Sequence, residues 1–176
     1  MGEKEATYKR LPSGVEEWYG ENGQVIHRKE LDGTEVFFEY IANGAKITIK
    51  TIDGGITLLE QKKGKVIYSK DKNGNELWYN DNEQIIHFKT KEVEGWTDYD
   101  ANGRKCHTKD TYGTEEWFYD DGKIVHHSNN HLENWTVYNK FEEEIISKEY
   151  INGKPVREEI NGKTKWYNDN GEIIDA

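Results

Sequence analysis

Apolar and aromatic residues recur along the chain in short alternating runs, each broken by a glycine-containing turn. Aligned under one another, the runs form repeats: GVEEWYGENGQVIH from Gly14, GTEVFFEYIANGAKIT from Gly33, GITLLEQKKGKVIY from Gly55 and GNELWYNDNEQIIH from Gly74. They continue as GWTDYDANGRKCH from Gly95, GTEEWFYDDGKIVH from Gly113, ENWTVYNKFEEEIIS from Glu133 and GKTKWYNDNGEIID from Gly162. An anchor residue falls at Trp18, Phe37, Leu59, Trp78, Trp96, Trp117, Trp135 and Trp166. The last step leaves room for one degenerate copy, ISKEYINGKPVREE. Alternation of apolar and polar positions over four to eight residues is the signature of a half-buried strand.

Each repeat reads as two short strands around a turn. Asn-Gly or Asp-Gly stands between the strands at Asn22-Gly23, Asn43-Gly44, Asn102-Gly103, Asp121-Gly122, Asn152-Gly153 and Asn170-Gly171. These pairs tolerate positive φ and mark hairpins. A second set, Asp32-Gly33, Asp53-Gly54, Asn73-Gly74 and Asn161-Gly162, lies between repeats. The pattern predicts an all-β fold: an antiparallel β-hairpin repeat array, a meander of about 16 to 18 short strands with little or no helix. Residues 1–13 read as a partial repeat or cap, and residues 14–176 as tandem repeats of about 20 residues in a single domain. An open sheet beyond ~10 strands curls, splits or flattens, so an elongated and curved array is expected.

Trp18 and His27, Trp78 and His87, and Trp117 and His126 are nine apart, while Trp96 and His107 are eleven apart. A change of two residues keeps every side chain on its face, because strand periodicity is two. A two-residue turn sets Trp18 opposite His27 and Tyr19 opposite Ile26; a three-residue turn with a bulge shifts that by one. One face should then carry Trp with His, and the other Tyr or Phe with Ile or Val.

Composition sharpens this picture. Among 176 residues, 34% are hydrophobic and 33% charged, yet Trp, Tyr and Phe make up 12%. That is lean for a thick core but too aromatic for a disordered acidic chain. Acids outnumber Lys and Arg by 34 to 24, a net charge of −10. Direct nucleic-acid binding is not expected, because phosphate neutralisation needs clustered cations. No run of 18 apolar residues suggests a membrane helix, and the start MGEKEATYKR has no apolar signal core, so a cytoplasmic location is expected.

Candidate chemistry is sparse. The single cysteine, Cys106, reads as a strand residue. His27, His87, His107 and His126 recur at one place in the repeat, but equivalents two strands apart stand ~9–10 Å from each other, too far to share a zinc. The adjacent pair His126-His127 points to opposite faces. Glu16-Glu17, Glu115-Glu116, Glu142 to Glu144 and Glu158-Glu159 are spread over the strands without the paired geometry of a glycosidase. No catalytic residue, metal or cofactor is assigned.

The segment EYINGKPVREEINGKTKWYNDNGEII, Glu149 to Ile174, resembles the MORN-variant repeats of bacterial antitoxin-like proteins. GWTDYDANGRKCHTKD, with Tyr99-Asp100 and Gly103-Arg104, is similar to the YD repeats of Rhs-type proteins. The resemblance implies single-layer hairpin arrays associated with toxin–immunity loci, and it transfers no catalytic residue. An acidic repeat sheet with rings points to a non-enzymatic protein-binding array whose charge steers a basic partner, as an immunity protein, an antitoxin or an anti-CRISPR inhibitor would need. Candidate contacts are Trp78, Tyr79, Trp96, Tyr99, Trp117 and Tyr119, with Asp98, Asp100, Asp120 and Asp121 supplying charge; most of those rings are expected simply to pack the sheet. The alternative is a carbohydrate or cell-wall module, since repeated W-Y and Y-D hairpins also resemble choline-binding repeats. Exposed end strands could pair with a second copy, with Lys4, Glu5, Lys9 and Asp175 as charged protection.

Overall fold

A computed structural model describes residues 7–119 and 122–175. Eighteen strands and no helix are found among the described residues. By backbone contacts the chain divides into two units, Met1–Lys91 and Glu92–Ala176. The first holds β1 (Thr7–Arg10), β2 (Glu16–Tyr19), β3 (Val25–Lys29), β4 (Glu35–Ile41), β5 (Gly44–Lys50), β6 (Ile56–Lys62), β7 (Lys65–Lys70), β8 (Glu76–Tyr79) and β9 (Ile85–Lys89). The second holds β10 (Glu94–Tyr99), β11 (Lys105–Asp110), β12 (Thr114–Tyr119), β13 (Gly122–Ser128), β14 (Leu132–Asn139), β15 (Glu144–Ile151), β16 (Lys154–Ile160), β17 (Lys163–Tyr167) and β18 (Ile173–Asp175).

Within each unit every strand pairs antiparallel with the next in sequence, and among the described residues its backbone approaches no other strand of that unit, although rings reach further, Trp117 of β12 stacking on Trp135 of β14 at 5.7 Å. Each unit is therefore an open antiparallel meander of one layer. A one-layer sheet shields its apolar residues only with same-face neighbours. Val15, Ala45 and Ile47 are the only buried hydrophobic residues among those described. Around Ile47 the pairings Val36↔Ile49, Phe38↔Ile47 and Ile47↔Leu59 gather a half-buried apolar row. In the second unit the row is Ile124↔Val137↔Ile146↔Ile160.

The hairpin turns combine the two geometries that the Asn-Gly signal allows. Around Asn22-Gly23 the Gly20 N–H donates to Gln24 O at 2.9 Å and the Gly23 N–H to Gly20 O at 2.9 Å, a three-residue loop. That loop moves the register by one, pairing Tyr19 with Val25; a bulge at Ile26 moves it back, so Trp18 faces His27. The same combination occurs in β8–β9, β10–β11, β14–β15 and β17–β18. Asn152-Gly153 and Asn161-Gly162, by contrast, form two-residue turns with both residues at positive φ, as does Lys63-Gly64.

An Asn or Asp at the head of a loop pins it. Asn168 Oδ1 accepts the Asn170 and Glu172 N–H groups at 3.0 Å each, and Asn80 and Asn139 act alike. Such side chains mimic a backbone turn and satisfy loop donors that the ladder leaves open.

Candidate functional site

The Trp–His correspondence becomes a set of ring stacks. On one face of the first unit Tyr8, Trp18, His27 and Phe37 stand opposite one another across β1 to β4. The His27 ring lies 4.3 Å from both Trp18 and Phe37, nearly parallel to the latter at 4°. Trp78 is held between Tyr68 at 5.2 Å and His87 at 4.1 Å. In the second unit His107 stacks on Trp117 at 5.1 Å, and His126 on Trp135 at 4.0 Å. Offset or tilted ring pairs at these distances each add about 0.5–1.5 kcal/mol beyond burial.

Three details differ from the repeat alignment. His126 faces Trp135 rather than Trp117, because β12–β13 lacks the resetting bulge and Trp117 pairs with Ile124. Leu58, not Leu59, continues the ring face, opposite Thr48. Trp135 leads through Lys148 and Glu158 to Lys165, which puts Trp166 one position off and on the other face, under the Arg157 guanidinium at 5.9 Å.

Carboxylates edge the stacks. Asp98 Oδ2 lies 2.9 Å from His107 Nδ1, and Glu133 Oε1 lies 3.1 Å from His126 Nε2. Glu35 is 3.8 Å from His27 Nε2. Buried under neighbouring rings, His27 Nε2, His107 Nε2 and His126 Nδ1 have no hydrogen-bond partner, and they are closed to an incoming ligand. Among the described residues no group of three His, Cys, Asp or Glu is placed to hold a metal ion.

Several ionisable groups are tuned by this packing. Burial, reinforced by the Glu76 carboxylate 2.9 Å from its hydroxyl, pushes Tyr68 up to about 12. The Thr51 hydroxyl, the Gly55 N–H and Lys72 hold Asp53 down at about 2. Glu115 and Glu158 are lowered chiefly by hydrogen bonds from Lys109 and Lys148 respectively. These shifts come from burial, ion pairs and turn hydrogen bonds spread over both units.

The ten candidate contacts fall into separate places. Trp78 and Trp117 are occupied by stacking, and Tyr79 meets Ser69, hydroxyl to hydroxyl, at 3.3 Å. Asp100 heads a loop, accepting the Asn102 and Arg104 N–H groups and the Arg104 Nε–H at 2.7 Å. Tyr99 ends β10, opposite Lys105. Trp96 and Tyr119 stand out, 42% and 60% exposed. Asp98 joins His107 and Trp117 in one cluster. Asp120 and Asp121 lie outside the described residues.

One feature escapes repeat reasoning altogether. On the opposite face from the stacks, rings and lysines alternate across β10 to β14 as Tyr99, Lys105, Phe118, Lys123 and Tyr138. Lys105 Nζ sits 4.5 Å from the Phe118 centroid, and Lys123 Nζ lies 5.8 Å from Phe118 and 5.9 Å from Tyr138. The alternation was visible only once the register was known.

A scan against protein-family models gives no match to this chain. A search of curated proteins likewise finds no similar sequence.

Proposed function

We propose that the chain is a non-enzymatic protein-binding array of the immunity or antitoxin kind, a cytoplasmic inhibitor that occupies a basic, nucleic-acid-acting partner such as a toxin, nuclease or CRISPR effector. One observation carries this reading: a net charge of −10 on a one-layer sheet whose large rings Trp96 and Tyr119 face solvent. A negative field attracts a basic surface from a distance, and exposed aromatic side chains anchor it on contact. The resemblance to MORN-variant and YD repeats supports the same assignment. Among the sequence candidates, Trp96, Asp98 and Tyr119 are the contacts to test, since these three are exposed whereas Trp78 and Trp117 are half-buried in stacks.

A pull-down from host lysate at low and high salt, with wild type and the Trp96→Ala/Tyr119→Ala variant, tests the reading. The expected result is one near-stoichiometric basic protein, weakened by salt and lost with the double variant. Recovery of no protein, or of one whose binding ignores both salt and the substitutions, refutes it. Retention on glycan or cell wall instead supports a carbohydrate module.

A further inference from the structure

Strands β4 to β9 separate charge from apolar surface more strictly than the repeat requires. Every charged strand residue there, from Glu35 and Glu39 on β4 to Lys89 on β9, lies on the face of the ring stacks. The other face carries none, in a chain that is 33% charged. Its central row runs Phe38↔Ile47↔Leu59↔Ser69↔Leu77↔Phe88, and Val36↔Ile49↔Thr57 lies beside it. Charge returns at β3, where Arg28 stands opposite Val36 and pairs with Glu30 at 2.8 Å. In the second unit the face opposite the stacks carries Lys105, Lys123 and Arg157, so the hairpin repeat does not itself demand a charge-free face.

On this face of β4 to β9 Ala45 and Ile47 are buried, while Phe38, Leu59, Leu77 and Phe88 stay half-buried. A sheet that is apolar on one face is stable when a second layer covers it. Contiguous apolar patches beyond a few hundred Å² accordingly mark interaction sites. Six strands ~4.8 Å apart, each about five residues long at ~3.3 Å per residue, give a plan area of about 500 Å². Two such faces together supply about 1,000 Å², which is what a specific interface needs.

We propose that this face packs against the same face of a second copy, two sheets ~10 Å apart about a two-fold axis. Chemistry selects the occupant. A face without charge offers nothing to a basic partner, whereas a two-fold axis sets the apolar row of one copy against the identical row of the other. Two chains of net charge −10 then meet where neither carries any charge, and their charged stack faces stay outward. This contact differs from edge-to-edge pairing of end strands. It is independent of the partner reading and is tested without any partner.

Sedimentation velocity of the purified full chain over a range of concentrations measures the association, and circular dichroism checks that each variant keeps its sheet. The expected result is a reversible dimer of twice the 20.6 kDa chain mass, with a micromolar Kd that added salt does not weaken. Leu58 and Leu59 are consecutive and stand on opposite faces, across from Thr48 and Ile47 respectively. Leu59→Lys should raise the Kd by at least about tenfold, because it brings two ammonium groups into an apolar contact. Leu58→Lys should leave the Kd within about twofold, as a substitution outside the contact. Thr57→Lys puts the same charge on the face without removing an apolar side chain; it should weaken the dimer likewise, and it decides the outcome if Leu59→Lys does not fold. A monomer at every concentration up to about 1 mM overturns the proposal. So does a dimer that salt dissolves, one unmoved by both Leu59→Lys and Thr57→Lys, or one weakened equally by Leu58→Lys.

Discussion

Glu83 and Glu142 occupy the left-handed position of their loops, each at φ 62°, where Gly103 and Gly171 stand in equivalent loops at φ 77° and 79°. A side chain at such a φ crowds its own carbonyl and costs about 1–2 kcal/mol. Glycine relieves that crowding but gives back about 0.5–1 kcal/mol through the freedom of the unfolded chain. The net expectation for Glu83→Gly is a gain of about 0.5–1 kcal/mol. The loop hydrogen bond from the Glu83 N–H to Asn80 O, 2.9 Å, uses backbone alone and survives the change. Glu83 and Glu142 lie in different units, so the two gains should add to about 1–2 kcal/mol. Urea unfolding followed by tryptophan fluorescence measures this, with Gly103→Ala as the reverse control, expected to lose about 1 kcal/mol. If Glu83→Gly lowers the midpoint, or if Gly103→Ala leaves it unmoved, the account of these loops is wrong.

Other predictions concern loops and titration. Asn168→Ala removes the acceptor of two loop N–H groups and should destabilise by about 1–2 kcal/mol, whereas Asn168→Asp keeps that acceptor but loses the Nδ2–H bond to Glu172 Oε2 at 2.9 Å and should cost less than Ala; chemical denaturation separates the two. Tyr68 has a folded pKa above its unfolded value, so its contribution is complete below pH ~10 and lost as pH rises through about 12. Tyr8, Tyr19 and Tyr167 are raised as well, so absorbance at 295 nm should show several late-ionising tyrosines in the native protein, with the component near pH 12 lost in Tyr68→Phe. Asp53 has the opposite sign: its contribution is present above pH ~4 and disappears as pH falls toward about 2. The acid unfolding profile of Asp53→Asn should be shallower across that range, and an unchanged profile would contradict the Thr51–Asp53–Gly55 turn as its cause.

Much of the architecture was legible because each repeat must satisfy the same local demands. Trp18 and His27 could be paired from their spacing, as could Trp78 and His87, since any register that separates them moves one ring to the wrong face. The loop geometry was less legible. Asn-Gly fits both a two-residue turn and the end of a three-residue loop, and only the bulge at Ile26 reconciles the second with the Trp18–His27 pairing. Trp166 looked like another anchor, but the pairings from Trp135 through Lys148 and Glu158 end on Lys165, so its neighbour Trp166 falls on the other face. Of the candidate contacts, solvent exposure singled out Trp96 and Tyr119; repetition alone ranks them level with Trp78 and Trp117.

Strands that pair only with their immediate successors also set how the chain reaches this form. Among the described residues of each unit no strand partners are more than 19 positions apart, the widest being Leu132 and Ile151. All-β proteins usually fold slowly because their strands come from distant parts of the chain, and large loops must close before any contact forms. Here each closure involves one hairpin. Such a chain is expected to zip from whichever hairpin forms first, at rates closer to those of helical bundles than of sandwiches.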